Sequence, residues 1–166
     1  MAYGVVRTDN MYGTDVRAGL VSLKYFVSTT ATAIENGNVV TLNGLISGER
    51  EVFKAVAPAA NTPLNEVVLV ASPEVMYDEH KHNLDEFVNE AGAIARGYRL
   101  HKGDIFSVTA DALSAASDIT VGDIVELQAG TKLKVVGSAT ASTTTVGKVI
   151  AIDNVGRYTY YVILVG

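Results

Sequence analysis

Residues 158–165 read Tyr-Thr-Tyr-Tyr-Val-Ile-Leu-Val, which is the strongest strand signal in this chain of 166 residues. Aromatic, β-branched and aliphatic side chains fill the run, and such side chains pack well on a pleated sheet. No charge interrupts it, as is typical of a strand buried on both faces. Because the run lies at the chain end, it predicts a central strand that closes the domain. Removal of Thr159–Gly166 should therefore abolish folding.

The rest of the chain shows the same preference for strands. Valine occurs 24 times and threonine 15 times, and β-branched residues favour strands over helices. A second continuous apolar run, Glu66–Ala71, indicates another strand buried on two faces. Further strands are predicted at 98–100, 105–109, 123–128, 132–136 and 145–153. The fold class predicted is mainly β, a compact β-barrel or sandwich.

One short pattern occurs three times. Residues 37–42, 103–108 and 122–127 each read Gly-Asn/Asp-apolar-apolar-polar-apolar. Glycine supplies a positive φ, and Asn or Asp can bond the following backbone, so each copy predicts a turn leading into a strand. The irregular spacing excludes a solenoid.

The chain divides into an N-terminal arm and a β domain. Residues 1–33 follow neither a helical nor a lasting strand period, which predicts an extended arm whose apolar side chains cover either this chain's own barrel or a neighbouring subunit. Residues 34–166 form the β domain, and a barrel lacking residues 1–30 is expected to fold. The candidate assembly contacts on the arm are Tyr3, Val5, Val6, Tyr12, Leu20, Tyr25 and Phe26.

An acidic insertion at about 73–97 is the part most compatible with a helix. Ser72-Pro73-Glu74 has the order of N-cap, first-turn proline and first-turn acid. Leu84, Phe87 and Val88 are spaced to share one helix face. The pattern predicts a helix of one or two turns that ends near Gly92 or Gly97.

Composition excludes several function classes. The absence of cysteine removes thiol catalysis and cysteine-type metal sites. A net charge of −5 argues against general nucleic-acid binding, because such binding neutralises phosphates with Lys and Arg. The first thirty residues contain no long apolar run, so neither a membrane span nor a secretory signal is expected.

The charges are unevenly distributed along the chain. Residues 74–90 contain six acids and one base, whereas residues 131–166 contain four bases and one acid. A second basic stretch comprises Arg96, Arg99 and Lys102. These patches could meet between copies or on a charged partner, or pair within the chain.

One cluster has the residue types of a metal site. His80 and His82 share a face if their segment is extended, and Asp78 and Asp85 lie nearby in sequence. The competing interpretation is a solvated acidic loop, because no third ligand is identifiable.

Catalytic patterns are otherwise missing from the sequence. No nucleophile elbow or phosphate-binding loop is present, and His101 is the one remaining histidine. We therefore expect no enzymatic activity, no catalytic residues and no cofactor.

Taken together, the small cysteine-free β domain, its Gly-Asp turns and the strand Gly147-Lys148-Val149-Ile150-Ala151-Ile152 before a Tyr/Val-rich end resemble the capsid decoration proteins of tailed bacteriophages. These are also called head auxiliary or cement proteins. The resemblance covers mainly residues 34–56 and 103–166, and the insertion departs from the smallest members of the family.

The resemblance implies a non-enzymatic virion protein on the capsid exterior, made in the host cytoplasm. Its partners would be the major capsid protein and other copies of itself, with no nucleic acid and no membrane. Many copies would cover seams between capsomers and raise the resistance of the shell to opening. One alternative is a tail, connector or fibre-base component. Another is a small metal- or carbohydrate-binding β-barrel that uses His80 and His82.

Overall fold

The computed structural model describes residues 2–12, 17–115 and 118–166. The protein is mainly β, with 45% of the described residues in strands, and the helical residues of these ranges form short 3-10 turns. No helix in these ranges is long and apolar enough to cross a membrane. The strands are β1 (Val6–Asn10), β2 (Leu20–Val27), β3 (Thr30–Ala31), β4 (Val39–Leu45), β5 (Val52–Val56), β6 (Val67–Val70), β7 (Ala95–Arg99), β8 (Ile105–Val108), β9 (Leu113–Ala115), β10 (Ile124–Glu126), β11 (Leu133–Val136), β12 (Thr145–Val155) and β13 (Tyr158–Val165).

The strand at the chain end is internal to a seven-stranded sheet, whose order is β1-β8-β13-β12-β10-β11-β9. β13 pairs antiparallel with β8 on one side and with β12 on the other. Tyr160 and Val162 are buried on one face, and Ile163 and Val165 on the other. The central, doubly buried strand predicted from residues 158–165 is confirmed.

A second set of strands closes on itself. β2, β5, β4, β6 and β7 pair in that order, and β7 pairs back with β2. The β2–β5 pair is parallel and the other four are antiparallel. β3 adds a short hairpin to β2. A closed ring satisfies the backbone hydrogen bonds of all five strands and leaves no free edge among them.

β6 joins the two halves of the core. Val68 and Val70 point into the barrel, whereas Val67 and Leu69 pack towards the seven-stranded sheet with Phe106. All four β6 side chains have no exposed surface. This confirms the strand buried on two faces that the apolar run predicted, and each such side chain contributes about 1.5–3 kcal/mol of burial free energy.

Gly97 in β7 lies at a close approach between strands inside the barrel. Its neighbours across the sheet are Val21 on β2 and Val70 on β6. A Cβ atom at this position would overlap the side chains of Val68 and Leu23. At this level the barrel interior is therefore filled by side chains of its own strands.

The threefold turn pattern has the predicted structure. Gly37, Gly103 and Gly122 have positive φ values of 83°, 96° and 102°. Two residues after each glycine a strand begins, and these strands are β4, β8 and β10. The side-chain bond runs in the other direction from the one predicted: in the second copy the Asp104 carboxylate accepts the backbone N–H of His101, three residues before it, at 2.8 Å.

Much of the N-terminal stretch, residues 1–33, is built into the two sheets: β1 is an edge strand of the seven-stranded sheet, and β2 is a strand of the barrel. Val5 and Val6 are buried, and Leu23 on β2 lies inside the barrel. Removal of residues 1–30 would take away β1 and a wall of the barrel, so the expectation that the remainder folds is corrected. The sequence did not indicate that β2 is a barrel strand, because its inward and outward residues alternate over only a few positions. Residues 13–16 lie outside the described ranges.

The helical part of the insertion is a single 3-10 turn, Leu84–Glu86, within the one or two turns predicted but ending well before Gly92. Phe87 already has extended backbone angles. Leu84, Phe87 and Val88 therefore do not share a helix face as their spacing suggested. The Glu86 carboxylate accepts the backbone N–H of Asn83 at 2.8 Å, which ties the turn to its own start rather than extending it.

Candidate functional site

Two buried asparagines fasten the insertion to the barrel. The Asn36 side chain donates to the Ser72 carbonyl at 2.8 Å and accepts the Ser72 N–H at 3.0 Å. The Asn89 side chain donates to Asn36 at 3.1 Å and to the Ile34 carbonyl at 3.0 Å. Buried amides whose partners are satisfied fix the backbone around them. Both ends of the segment 73–94 are thus held against the domain.

An open groove of about 550 Å³ lies between this segment and the barrel. The barrel side of the groove is formed by Ser22 on β2 and Arg96 on β7, which are paired neighbours across the two strands. The other side is apolar and is built from Val75, Tyr77, Phe87, Val88 and Ile94. The groove is shallow and open to solvent, a shape suited to another surface rather than to an enclosed small molecule.

The apolar side chains of the groove are unusually exposed. Tyr77 is 95% exposed, Val75 58% and Ile94 56%. Single exposed apolar residues are normal, but several that line one groove indicate an interaction surface. These three residues are not among the contacts predicted from the sequence, because Val75 and Tyr77 stand in the acidic segment, one interpretation of which was a solvated loop. The available signal was the presence of large apolar residues beside those acids.

The histidine pair lies on the exposed surface of the insertion. His80 and His82 are both exposed, and the Asp78 carboxylate accepts the backbone N–H of His80 at 3.0 Å. Within residues 2–12, 17–115 and 118–166, no group of three or more His, Cys, Asp or Glu side chains could hold a metal ion. A carboxylate that closes a local turn is better explained as loop structure.

Asp85, the other carboxylate of that cluster, is turned towards the C-terminal hairpin. It accepts a hydrogen bond from the Tyr158 hydroxyl at 2.9 Å and forms an ion pair with Arg157 at 3.1 Å. The pKa of Tyr158 is raised, first by burial and then by this bond to Asp85. Glu86 is also engaged, because backbone N–H groups of Asn83 and His82 hold its pKa below the ordinary value.

The candidate assembly contacts fall into three groups. Val5 and Val6 are buried in the protomer, so no neighbouring subunit can reach them. Tyr12 and Leu20 are 54% and 38% exposed and lie on the surface. Half-buried positions form the third group, and its members are Tyr3, Tyr25 and Phe26. The structure does not bring the seven residues together in one patch, although Leu20 lies two residues from Ser22 at the groove.

The basic C-terminal third is largely paired within the chain. Lys132 lies 3.6 Å from Glu35, and Lys134 lies 3.1 Å from Glu126. Arg157 forms an ion pair with Asp85. Among the described residues, it is the one basic side chain of residues 131–166 that pairs with an acid of the segment 74–90. Intramolecular pairing thus accounts for most of this patch, but it leaves several acids of residues 74–90 without a cation.

His101 also has structural partners. Its Nδ1 lies 3.0 Å from the Arg99 carbonyl, and its ring centroid is 4.6 Å from that of Tyr12. A general base needs a nucleophile within hydrogen-bond reach. Here the imidazole is occupied by a backbone carbonyl and a tyrosine ring.

No protein-family model matches this chain, and no curated protein sequence matches it.

Proposed function

We propose that this protein is a non-enzymatic structural component of a bacteriophage virion that binds the outside of the capsid and stabilises it. The exposed apolar groove carries the proposal. A protein whose task is to remain attached to a surface needs apolar side chains in water before it binds, and Val75, Tyr77 and Ile94 meet that requirement. The resemblance to capsid decoration proteins supplies the identity of the surface.

The rigidity of the domain supports the same role. A closed barrel packed on a seven-stranded sheet orders the chain before it meets its partner, so little conformational entropy is lost on binding. The hydrogen bonds of Asn36 and Asn89 likewise order the insertion before it meets a partner. Each copy can then bind with modest affinity, while occupancy of many sites raises the free energy needed to open the shell.

The major capsid protein is the proposed partner, and the capsid exterior is the proposed location. Groove variants on the cognate phage shells test this assignment. Shells stripped of the protein would be mixed with the full chain or with the double variant Val75→Ser/Ile94→Ser, and bound protein would be measured after pelleting. Loss of two apolar contacts of this size should weaken binding at least about tenfold.

Val121→Ser is the matched control, because Val121 is 60% exposed and does not line the groove. Binding of the control should equal that of the unaltered chain. If the unaltered chain fails to pellet with shells, the capsid assignment is wrong. Its appearance in only a handful of copies per particle would instead favour the tail or connector alternative.

A further inference from the structure

The strands of the barrel carry positive charge and no negative charge. Strands β2 to β7, as the described ranges define them, contain Lys24, Lys54, Arg96 and Arg99 but no Asp or Glu. The strands of the seven-stranded sheet, by contrast, contain both acids and bases. Because the whole chain has a net charge of −5, the barrel wall is a local positive region on an acidic protein.

Two of these cations are direct neighbours on the outside of the barrel. Lys24 on β2 and Lys54 on β5 are partners in the parallel register of the two strands. Leu23 and Ala55, the residues next to them, lie in the barrel core, and side chains alternate across a strand, so both lysines point outward. Neighbouring strands lie about 4.8 Å apart. The two ammonium groups can therefore reach the same ligand.

The protomer supplies no counter-charge to this pair. Neither Lys24 nor Lys54 forms an ion pair with another residue of the described ranges. Like charges placed directly opposite each other in a sheet destabilise it. The sheet alone would be better served by uncharged side chains at these two positions. An anionic ligand from outside the chain would account for them.

An aromatic ring holds one of the two ammonium groups. The Lys54 Nζ is 5.2 Å from the centroid of the Phe26 ring. Phe26 lies on β2 two residues after Lys24, on the same outward side, and is half-buried. Cation–π attraction draws the Lys54 ammonium towards β2, the strand that carries Lys24. Less side-chain freedom is then lost when an anion binds.

From these observations we infer that the outer face of β2 and β5 binds a short acidic peptide segment, whose carboxylates lie on Lys24 and Lys54. In an extended peptide, alternate side chains lie on one side about 6.6 Å apart. Two such carboxylates can each reach one of the lysines, because both ammonium groups stand on long stems. We call Lys24, Lys54 and Phe26 the lysine site.

The lysine site is separate from the apolar groove. Neither lysine lines the groove, so a surface in the groove leaves both ammonium groups available. The inference therefore goes beyond the capsid assignment and does not depend on it.

The chemistry of the site favours a peptide over a nucleic acid. Duplex binding depends on the neutralisation of many phosphates, and this face offers two adjacent lysines on a chain of net negative charge. Single-stranded nucleic acids stack their bases on free aromatic rings. The Phe26 ring is already engaged by Lys54.

An NMR titration of the full chain tests the inference. The probe is a blocked peptide of eight residues in which glutamate and threonine alternate. Backbone amide shifts should change saturably and most strongly in β2 and β5, with a dissociation constant below about 1 mM at low salt. Binding should weaken when salt rises to about 0.5 M. The same peptide with glutamine in place of glutamate should not bind.

Two matched variants connect binding to the lysine site. Lys24→Gln/Lys54→Gln should weaken peptide binding at least about tenfold. Its melting temperature should equal or exceed that of the unaltered chain, because the like-charge pair is removed. Lys102→Gln/Lys148→Gln changes the net charge equally at two exposed lysines that have no ion pair with a described residue. This control should bind the peptide like the unaltered chain.

Several results would overturn the inference. One is the absence of saturable peptide binding at about 1 mM, the weak limit of specific association. Another is equal binding by the two lysine variants. Tighter binding of a single-stranded DNA of eight nucleotides than of the peptide would overturn the choice of ligand. The groove variant Val75→Ser/Ile94→Ser should bind the peptide normally, and loss of binding there would show that the sites are not separate. Failure of that variant on shells alone concerns only the proposed function.

Discussion

Glu126 is a fully buried carboxylate that holds the loop before β12 onto β10. It accepts hydrogen bonds from the Thr140 N–H at 2.9 Å, the Thr140 hydroxyl at 2.7 Å and the Lys134 ammonium at 3.1 Å. The side chain of Glu126 is 1% exposed, whereas that of Lys134 is 38% exposed. The loop is thus clamped by a single charged group that water does not reach.

Replacement of Glu126 by glutamine should destabilise the domain by about 2 kcal/mol at pH 7. The amide keeps one acceptor oxygen but turns an NH₂ group towards at least one of the three donors. A hydrogen bond to a charged group is worth about 1.5–3 kcal/mol. The estimate lies in the lower part of that range because Lys134, being partly exposed, recovers water when the pair is broken.

The pH dependence of that difference follows from the pKa of Glu126. Burial raises this pKa, but the bonds from Thr140 and Lys134 outweigh burial, and the net pKa lies below the ordinary value. A carboxyl with a depressed pKa adds stability above the ordinary glutamate pKa and loses it as pH falls through the folded-state pKa. The gap between the two proteins should be full at pH 7 and shrink below about pH 4.

Urea unfolding followed by circular dichroism measures the effect across this pH range. Glu49→Gln, at an exposed position whose side chain makes no bond with the described residues, is the matched control and should change stability by less than about 0.5 kcal/mol. The reasoning is refuted if Glu126→Gln is as stable as the unaltered chain at pH 7. It is equally refuted if the gap persists undiminished in acid.

Three further results are expected. Gly97→Ala should destabilise the barrel by about 1–3 kcal/mol in the same unfolding assay, because the added Cβ meets Val68 and Leu23. Gly137→Ala is the control and should be close to neutral, because nothing lies within 4 Å of a Cβ at that position. Equal effects of the two substitutions would show that the barrel has room for the methyl group. A chain lacking Thr159–Gly166 loses the centre of the seven-stranded sheet and should not melt cooperatively, so a soluble product with a sharp transition would contradict the assigned role of β13. Zinc titration by calorimetry should give no saturable binding near micromolar concentrations, and saturable binding that His80→Ala and His82→Ala abolish would restore the metal-site alternative.

Strands with continuous apolar runs were predictable from the sequence, and others were not. β6 and β13 were predictable because both faces of each strand are buried, which requires apolar residues throughout the run. β2 was not recognised as a barrel strand, because its outward face carries Ser22, Lys24 and Phe26, a mixture without clear alternation. Local patterns also cannot reveal that β7 returns to β2, since closure of the ring depends on contacts about 75 residues apart along the chain.

The candidate surface was harder to predict than the fold. Sequence correctly identified an acidic insertion, but it assigned the exposed apolar contacts to the N-terminal stretch, where Val5 and Val6 turned out to be buried. Tyr77 and Ile94 become a surface only when the insertion is folded against β2 and β7. Likewise Lys24 and Lys54 become neighbours only through strand pairing, because thirty residues separate them in sequence.

The most direct test of the central claim is the position and copy number of this protein on intact particles. A cryo-EM reconstruction of the cognate phage, before and after the protein is stripped and added back, would provide both. Our account predicts density for the β domain on the outer surface of the head, on the order of hundreds of copies, with the groove against a neighbouring subunit. Density confined to the tail or neck, or no density on the particle, would contradict it.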